Sequence, residues 1–209
     1  MAVVVFAGEA RANLIMNGDF ETGDLSGWTP YTTANGTIGT PSIVDFDVAG
    51  AGDSPAAQFH VGDLSAIDDH PEGGGLKQAF ESGAGAFTMT ADVASALLNA
   101  GASNVDFGIF SLVLDGATLA SQPFGSGFAP VVFRGSLSFS GVLTAGTHEL
   151  AVEVRRARIV TNNTPLQYVD NIVVDGPAPA PIGGVPEPFT IALVATGLAG
   201  LGVSRRAVK

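Results

Sequence analysis

The chain carries 209 residues with a net charge of −11, no cysteine and only 14% charged side chains, while glycine reaches 28 and phenylalanine 13. That length suits one domain with appendages, and a core of about 160 residues buries roughly two thirds of its unfolded surface without staples. Disulfides, thiolate zinc sites and a cysteine nucleophile are excluded, and the acid excess repels phosphate backbones, which excludes nucleic acid as a partner.

At the start, Ala2 to Ala7 is apolar and Ala10-Arg11-Ala12 has the small-x-small form of a cleavage site ahead of Asn13. No basic stretch precedes it and the apolar run is short, so residues 1–12 read as the remnant of a signal peptide that begins upstream. From there the chain alternates. Phe87, Met89, Ala91 and Val93 share one face of a strand, with Thr88, Thr90 and Asp92 on the other. Val93 to Ala100 is the one helix-like stretch of the interior, short enough to be a turn of loop. Phe107 to Leu114 is apolar at nearly every position, as in an interior strand, and Asp115-Gly116 turns it. Val131, Phe133, Leu137 and Phe139 alternate with Arg134, Ser136, Ser138 and Ser140, and Leu150, Val152 and Val154 alternate with Glu149 and Glu153. Parity slips at Arg155-Arg156, which marks a bulge or a strand end. Strands separated by turn signals, with no βαβ rhythm, give an all-β, antiparallel β-sandwich over residues 13–176.

Residues 177–185, opening Pro177-Ala178-Pro179-Ala180-Pro181, form an extended Pro/Gly-rich linker. Pro186-Glu187-Pro188 follows, then an uncharged apolar run over 189–203 and a basic end with Arg205, Arg206 and Lys209. The run is expected to form a C-terminal hydrophobic helix, shorter than the ~20 residues of a comfortable bilayer span. The arginines would stay cytoplasmic and leave the domain outside. Such a marginal span suits a temporary anchor.

This order of Pro-Glu-Pro, short apolar helix and arginine pair resembles the PEP-CTERM sorting signal of Gram-negative bacteria, here residues 186–209. The resemblance implies recognition of Pro186, Glu187 and Pro188 by an exosortase-type membrane transpeptidase. It also implies removal of the helix, and release to the cell surface or an extracellular matrix rich in exopolysaccharide. An ordinary tail anchor is the alternative.

A second resemblance covers the domain. Asn13 to Glu21 followed by Gly27-Trp28 is similar to the opening strand of galactose-binding-like jelly rolls, the fold of many carbohydrate-binding modules. Tyr168 to Val174 is similar to their closing strand. Leu76 to Phe80 and Gly146 to Leu150 fall where that fold has recurring strands. The resemblance implies that first and last strands lie side by side and hold a structural calcium, with Glu21 and Asp170 as carboxylate ligands and backbone oxygens near Asp19 completing the shell. Otherwise both acids bond turn backbone or face solvent.

Other candidates are weaker. Asp63, Asp68, Asp69, His70 and Glu72 cluster ahead of a glycine run, without the order of a preformed calcium loop, and read first as a solvated loop. Trp28 reads as core, Tyr31 and Tyr168 are uncommitted, and Gln58, Gln78 and Asn171 are amides that a sugar cleft would use. His60 and His148 lie in or beside strands with no catalytic motif around them, so no catalytic residue is assigned. Three functions stay open: a non-enzymatic adhesion or glycan-binding module, a structural matrix component without a specific ligand, and, third, a weak glycan hydrolase.

Overall fold

The computed structural model describes residues 11–63, 70–104, 106–157 and 164–180. The chain divides into compact units Met1–Pro179 and Ala180–Lys209, and every described residue except Ala180 lies in the first. Pro186, Glu187, Pro188, the apolar run 189–203, Arg205 and Arg206 lie outside the described residues, as do residues 1–10, Asp68 and Asp69.

The described residues form β1 (Arg11–Asn13), β2 (Thr29–Thr32), β3 (Gly36–Thr37), β4 (Ser42–Phe46), β5 (Ser54–Phe59), β6 (Gly62–Asp63), β7 (Glu72–Ser82) and β8 (Gly85–Leu97). They continue with β9 (Ser103–Asn104), β10 (Gly108–Leu114), β11 (Ala117–Phe124), β12 (Gly127–Phe128), β13 (Val131–Leu143), β14 (Gly146–Arg156) and β15 (Leu166–Pro177). One sheet runs β13-β8-β15-β5-β4 with β1 beside β15, the other runs β11-β10-β14-β7-β2, and β12-β9 and β3-β6 are small ribbons. Phe87, Met89, Val93 and Leu137 of the first sheet and Phe110, Leu112, Leu150, Val152 and Val154 of the second join one buried cluster. Two antiparallel sheets sharing one apolar core make a β-sandwich.

The alternating segments fold as the sequence predicts. Asp115 and Gly116 take positive φ of 50° and 80° in the β10–β11 turn, the pattern of a type I′ hairpin. β14 stops at Arg156, where parity slips. Its guanidinium is buried and donates to the backbone oxygens of Asp106 at 2.8 Å and Val61 at 3.1 Å, and to Asn104 Oδ1 at 3.1 Å. A cation inside the sandwich is thus satisfied by fixed carbonyls.

Two expectations need correction. The opening strand is only Arg11–Asn13, and the segment after it turns repeatedly, with Asn17 and Phe20 at positive φ. In that strand Arg11 pairs with Pro177 and Ala12 with Gly176, and the Arg11 guanidinium meets Asp175 at 2.9 Å. Second, the helix-like stretch from Val93 is strand as far as Leu97. It is apolar on both sides because at this end of β8 the outer face of the sheet is covered as well. Val93 and Leu97 point to the core, while Ala94 and Ala96 join a second cluster with Val48, Ala56 and Tyr168 on the outer face. Val48 belongs to the connection from β4 to β5, which folds back over that face. Phe46 stacks flat on Tyr168 with ring centroids 3.7 Å apart, and Arg134 donates to the Asp47 backbone oxygen at 2.8 Å and meets its carboxylate at 3.2 Å. The three alanines provide the room the strap occupies.

His148 joins two hairpin ends. Its Nδ1 lies 2.7 Å from Asp115 Oδ2 and its Nε2 3.0 Å from the Thr144 carbonyl oxygen. Both partners are acceptors, so both nitrogens donate only in the imidazolium form. The hydrogen bond to Asp115 accordingly raises the His148 pKa. A folded pKa above the unfolded value of about 6.5 gives stability that is fully present below pH 6.5 and lost as pH rises through the folded value. Asp115 is half exposed, so solvent screening limits the effect to roughly 1 kcal/mol. His60 opposes this effect equally in both proteins, so from pH 5.5 to pH 8.5 the wild type is expected to lose urea resistance relative to His148→Gln. An unchanged pH dependence in the variant would remove His148 as its source.

Candidate functional site

The outer face of the five-stranded sheet is open, and register builds its middle. Tyr31 of β2 stands opposite Gly75 of β7, which stands opposite Glu153 of β14 and then Ser111 of β10. The adjacent row reads Thr29, Lys77, Ala151, Val113 and Thr118. Small side chains at Ala151 and Val113 form a floor, with Tyr31, Lys77, Glu149, Glu153 and Arg155 around one side and Gly116 and Thr118 at the other. The result is a shallow groove of about 230 Å³.

Gly75 sets this row. A Cβ there would sit 1.9 Å from the Val152 carbonyl oxygen, so strand β14 passes too close for any other residue. With no side chain between them, Tyr31 reaches across β7 and donates to Glu153 Oε2 at 2.9 Å. Burial first, and the Glu153 charge second, raise the Tyr31 pKa, so the phenol keeps its proton. Arg155 Nε donates to the other Glu153 oxygen at 2.5 Å, and that bond raises its own pKa. Lys77 Nζ pairs with Glu149 at 3.1 Å and stands 5.9 Å from the Tyr31 ring centre. The groove therefore presents one half-buried aromatic ring beside two ion pairs, Lys77–Glu149 open to solvent and Arg155–Glu153 with its carboxylate largely buried. Glu149 and Glu153 lie four residues apart on one strand, about 13 Å between Cα atoms, and each is held by its own cation.

The calcium residues come out unevenly. β1 does lie beside β15, and Gly18 presses on the closing strand, its carbonyl accepting from Ile172 N at 2.8 Å. Asp170 is buried, with Ser54 Oγ donating to Oδ2 at 2.6 Å and Asn171 N to Oδ1 at 2.7 Å. Burial first, then the charges of Asp92 and Asp19, push its pKa up. No basic side chain among the described residues pairs with it. Glu21, by contrast, is exposed with its side chain in no hydrogen bond or ion pair, and no three metal-type side chains gather among the described residues.

The other candidates are occupied elsewhere. Trp28 is core, its Nε1 donating to Asn17 O at 2.9 Å. Tyr168 lies under the strap and accepts from Gln58 Nε2 at 3.1 Å. Gln78 brackets Met16, accepting from its N at 2.7 Å and donating to its O at 3.0 Å. Asn171 donates to Asp92 at 3.0 Å. None of the three amides enters the groove. Asp63 is buried in β6 rather than solvated and takes a bond from Asn35, Glu72 opens β7, and His70 is exposed. His60 is half-buried beside β5, and burial lowers its pKa. Sequence reasoning missed Lys77, Glu149, Glu153 and Arg155 as a group, because only the register of β7 and β14 brings them to Tyr31.

The chain matches no protein-family profile and no curated protein. Several solved structures are similar to it. The enzymatically active domain of bacteriophage CBA120 tailspike protein 4 matches 79% of the chain at 13% identity and a TM-score of 0.46, the match spanning 21% of that protein. The CBM22-1 xylan-binding domain of Paenibacillus barcinonensis Xyn10C matches 83% of the chain and 100% of its own length, at 13% identity and a TM-score of 0.44. The TmCBM61 module, solved with β-1,4-galactotriose, matches 78% and 97%, at 13% identity and a TM-score of 0.43.

Proposed function

We propose that the chain is an exported bacterial surface or matrix protein, sorted by its tail, whose sandwich binds glycan without catalysing a reaction on it. The observation that carries the binding reading is the groove: a half-buried Tyr31 ring beside Lys77–Glu149 and Arg155–Glu153. A pyranose lays its C–H face on an aromatic ring, and its neighbouring hydroxyls both donate and accept, so paired carboxylates and cations serve it better than one isolated charge. The face also avoids the smooth Ser/Thr/Gly surface expected of a purely structural component. With one ring, the groove suits a soluble or gel polysaccharide chain rather than a flat crystalline surface. The natural candidate is the producer's exopolysaccharide. In the chain ending at Pro179, Tyr31→Ala is expected to weaken binding to that polysaccharide about tenfold, near 1.4 kcal/mol, while Tyr31→Phe loses less. Asp45→Ala, on the other sheet, should leave affinity unchanged in the same calorimetric titration. Equal binding by all three variants would move function away from this groove.

Calcium is proposed at Asp170, with Glu21 swinging in from solvent and backbone oxygens near Asp19. The bound ion would brace the opening segment against the closing strand. Its support is the buried carboxylate with no cation beside it. Added calcium is then expected to raise the melting temperature of the wild type and not that of Asp170→Asn. A chelator-insensitive, calcium-insensitive melt would leave Asp170 as a plain hydrogen-bonded acid.

Sorting rests on the residue order over 186–209: Pro186, Glu187 and Pro188 for an exosortase-type transpeptidase, the apolar run as a transient membrane anchor, and Arg205 and Arg206 as its cytoplasmic stop. Protein recovered from the producer's surface is expected, by intact mass, to lack Phe189 to Lys209. A stable full-length mass there would mean a permanent anchor.

A further inference from the structure

Beside the three-residue β1, four strands border the two main sheets, and three of those four are protected against pairing with another chain. β4 turns Asp45, an exposed charge, toward the core side of the sheet, β11 contains Pro123, and β2 is four residues long with Pro30 inside it. Short length, proline and inward-pointing charge are the usual protections of a strand edge. β13 has none of them. It runs thirteen residues, pairs with β8 from Val131 to Leu143 without a register shift, and bonds through its backbone to no other strand among the described residues. It carries no proline and no acid, in a chain of net charge −11.

Its sequence is also nearly palindromic. Gly135-Ser136-Leu137-Ser138-Phe139-Ser140-Gly141 reads the same in both directions except that leucine and phenylalanine exchange. A two-fold axis through Ser138 sets Ser136 against Ser140, Leu137 against Phe139 and Gly135 against Gly141. Extended outward, Phe133 meets Leu143 and Arg134 meets Val142. Every core-side pair is then apolar or glycine, and every central outer pair is Ser–Ser. Antiparallel pairing about such an axis gives an isologous contact, the form a closed dimer requires. Phe133 and Phe139 are half-buried at this edge and Val142 is 79% exposed, so the contact would cover apolar surface now open to water. Two strongly acidic copies repel, and β13 brings no acid of its own to the contact.

We propose that β13 pairs with β13 of a second copy, antiparallel and centred on Ser138, to join two six-stranded sheets into one. The interface lies on the sheet that does not carry the groove, so the two grooves of the dimer stay open. A dimer of this kind would engage one polysaccharide chain at two points.

The chain has no cysteine, which makes the register directly testable by single substitutions in the full chain. Ser138 is exposed, and on the axis it faces its own copy, so Ser138→Cys is expected to form a disulfide dimer under mild oxidation. Facing side chains of paired strands lie within reach of that bond. Ser136→Cys alone faces Ser140 and should crosslink at least roughly tenfold more slowly, since only paired thiols gain the effective concentration of the complex. The double variant Ser136→Cys/Ser140→Cys should recover the fast reaction. Ser138→Lys sets two like charges on the axis and is expected to sediment as a monomer where the wild type sediments as a dimer. Equal crosslinking by the two single cysteine variants, or none by either Ser138→Cys or the double variant, would overturn the proposal.

Discussion

A sandwich of two sheets has four faces, and only the inner two must meet in the core. What happens to the outer two is decided here by the strap between β4 and β5. Phe46 lies on Tyr168, Val48 sinks among Ala56, Ala94 and Ala96, and Arg134 holds Asp47 by carbonyl and carboxylate. Val48 is fully buried although it sits in a loop. That burial and the flat ring stack both favour the ordered strap. The Arg134 clamp and the turn bonds of Asp47, such as Gly52 N to Oδ1 at 3.1 Å, supply further restraint. Part of one outer face is thereby covered by protein, and that of the other sheet is left for something else.

The groove on that open face owes its shape to side chains that are missing. Gly75 cannot carry a Cβ against Val152, and a Cβ at Gly73 would likewise sit 2.1 Å from the Val154 carbonyl oxygen. The constraint is packing, since β14 needs the glycines in order to approach. The consequence is chemical, since the empty lane lets a tyrosine on the edge strand reach a glutamate two strands away. Thr29 and Lys77, one row over, have full side chains, and there the charge pairs with Glu149 instead. Stability and ligand chemistry are thus written into one short glycine run.

That division explains what the sequence could disclose. Strands with one wet face announced themselves: Thr88, Thr90 and Asp92 between Phe87, Met89, Ala91 and Val93, or the serines of β13, alternate because one side is core and the other solvent. Trp28 was legible as core because a bulky ring after a turn has few other places to go. The stretch beyond Val93 was not legible, because the strap makes its outer face apolar too and period two disappears. The groove was hidden for a different reason. Tyr31 and Glu153 are 122 positions apart, and nothing short of the pairing of β2, β7 and β14 says they meet. The amides Gln58, Gln78 and Asn171 had the right chemistry for a sugar cleft and the wrong positions, because hydrogen bonding inside the fold claimed them first.

The closing strand shows most directly how local geometry governs where charge is buried. In β15 Gln167 and Val169 point to the core while Tyr168 and Asp170 point outward. Past Asn171 the order reverses, and Ile172 and Val174 are the core residues. Pairing with β8 shifts register between Asp170 and Val173, and Asn171 sits at φ 51°, so one extra residue is absorbed as a bulge. Gly18 fills the notch, its hypothetical Cβ only 2.0 Å from the Ile172 carbonyl oxygen. The bulge keeps apolar side chains in the core along the whole strand, and it pins the opening segment there. It also leaves Asp170 as the last outward residue before the flip, with Asp92 opposite it and Asp19 near, on a face where no arginine or lysine reaches it. Arg156 is the reverse case, a buried cation wrapped in carbonyls that cannot lose or gain a proton. One buried charge is closed by its own backbone, and the other is left with like charges around it.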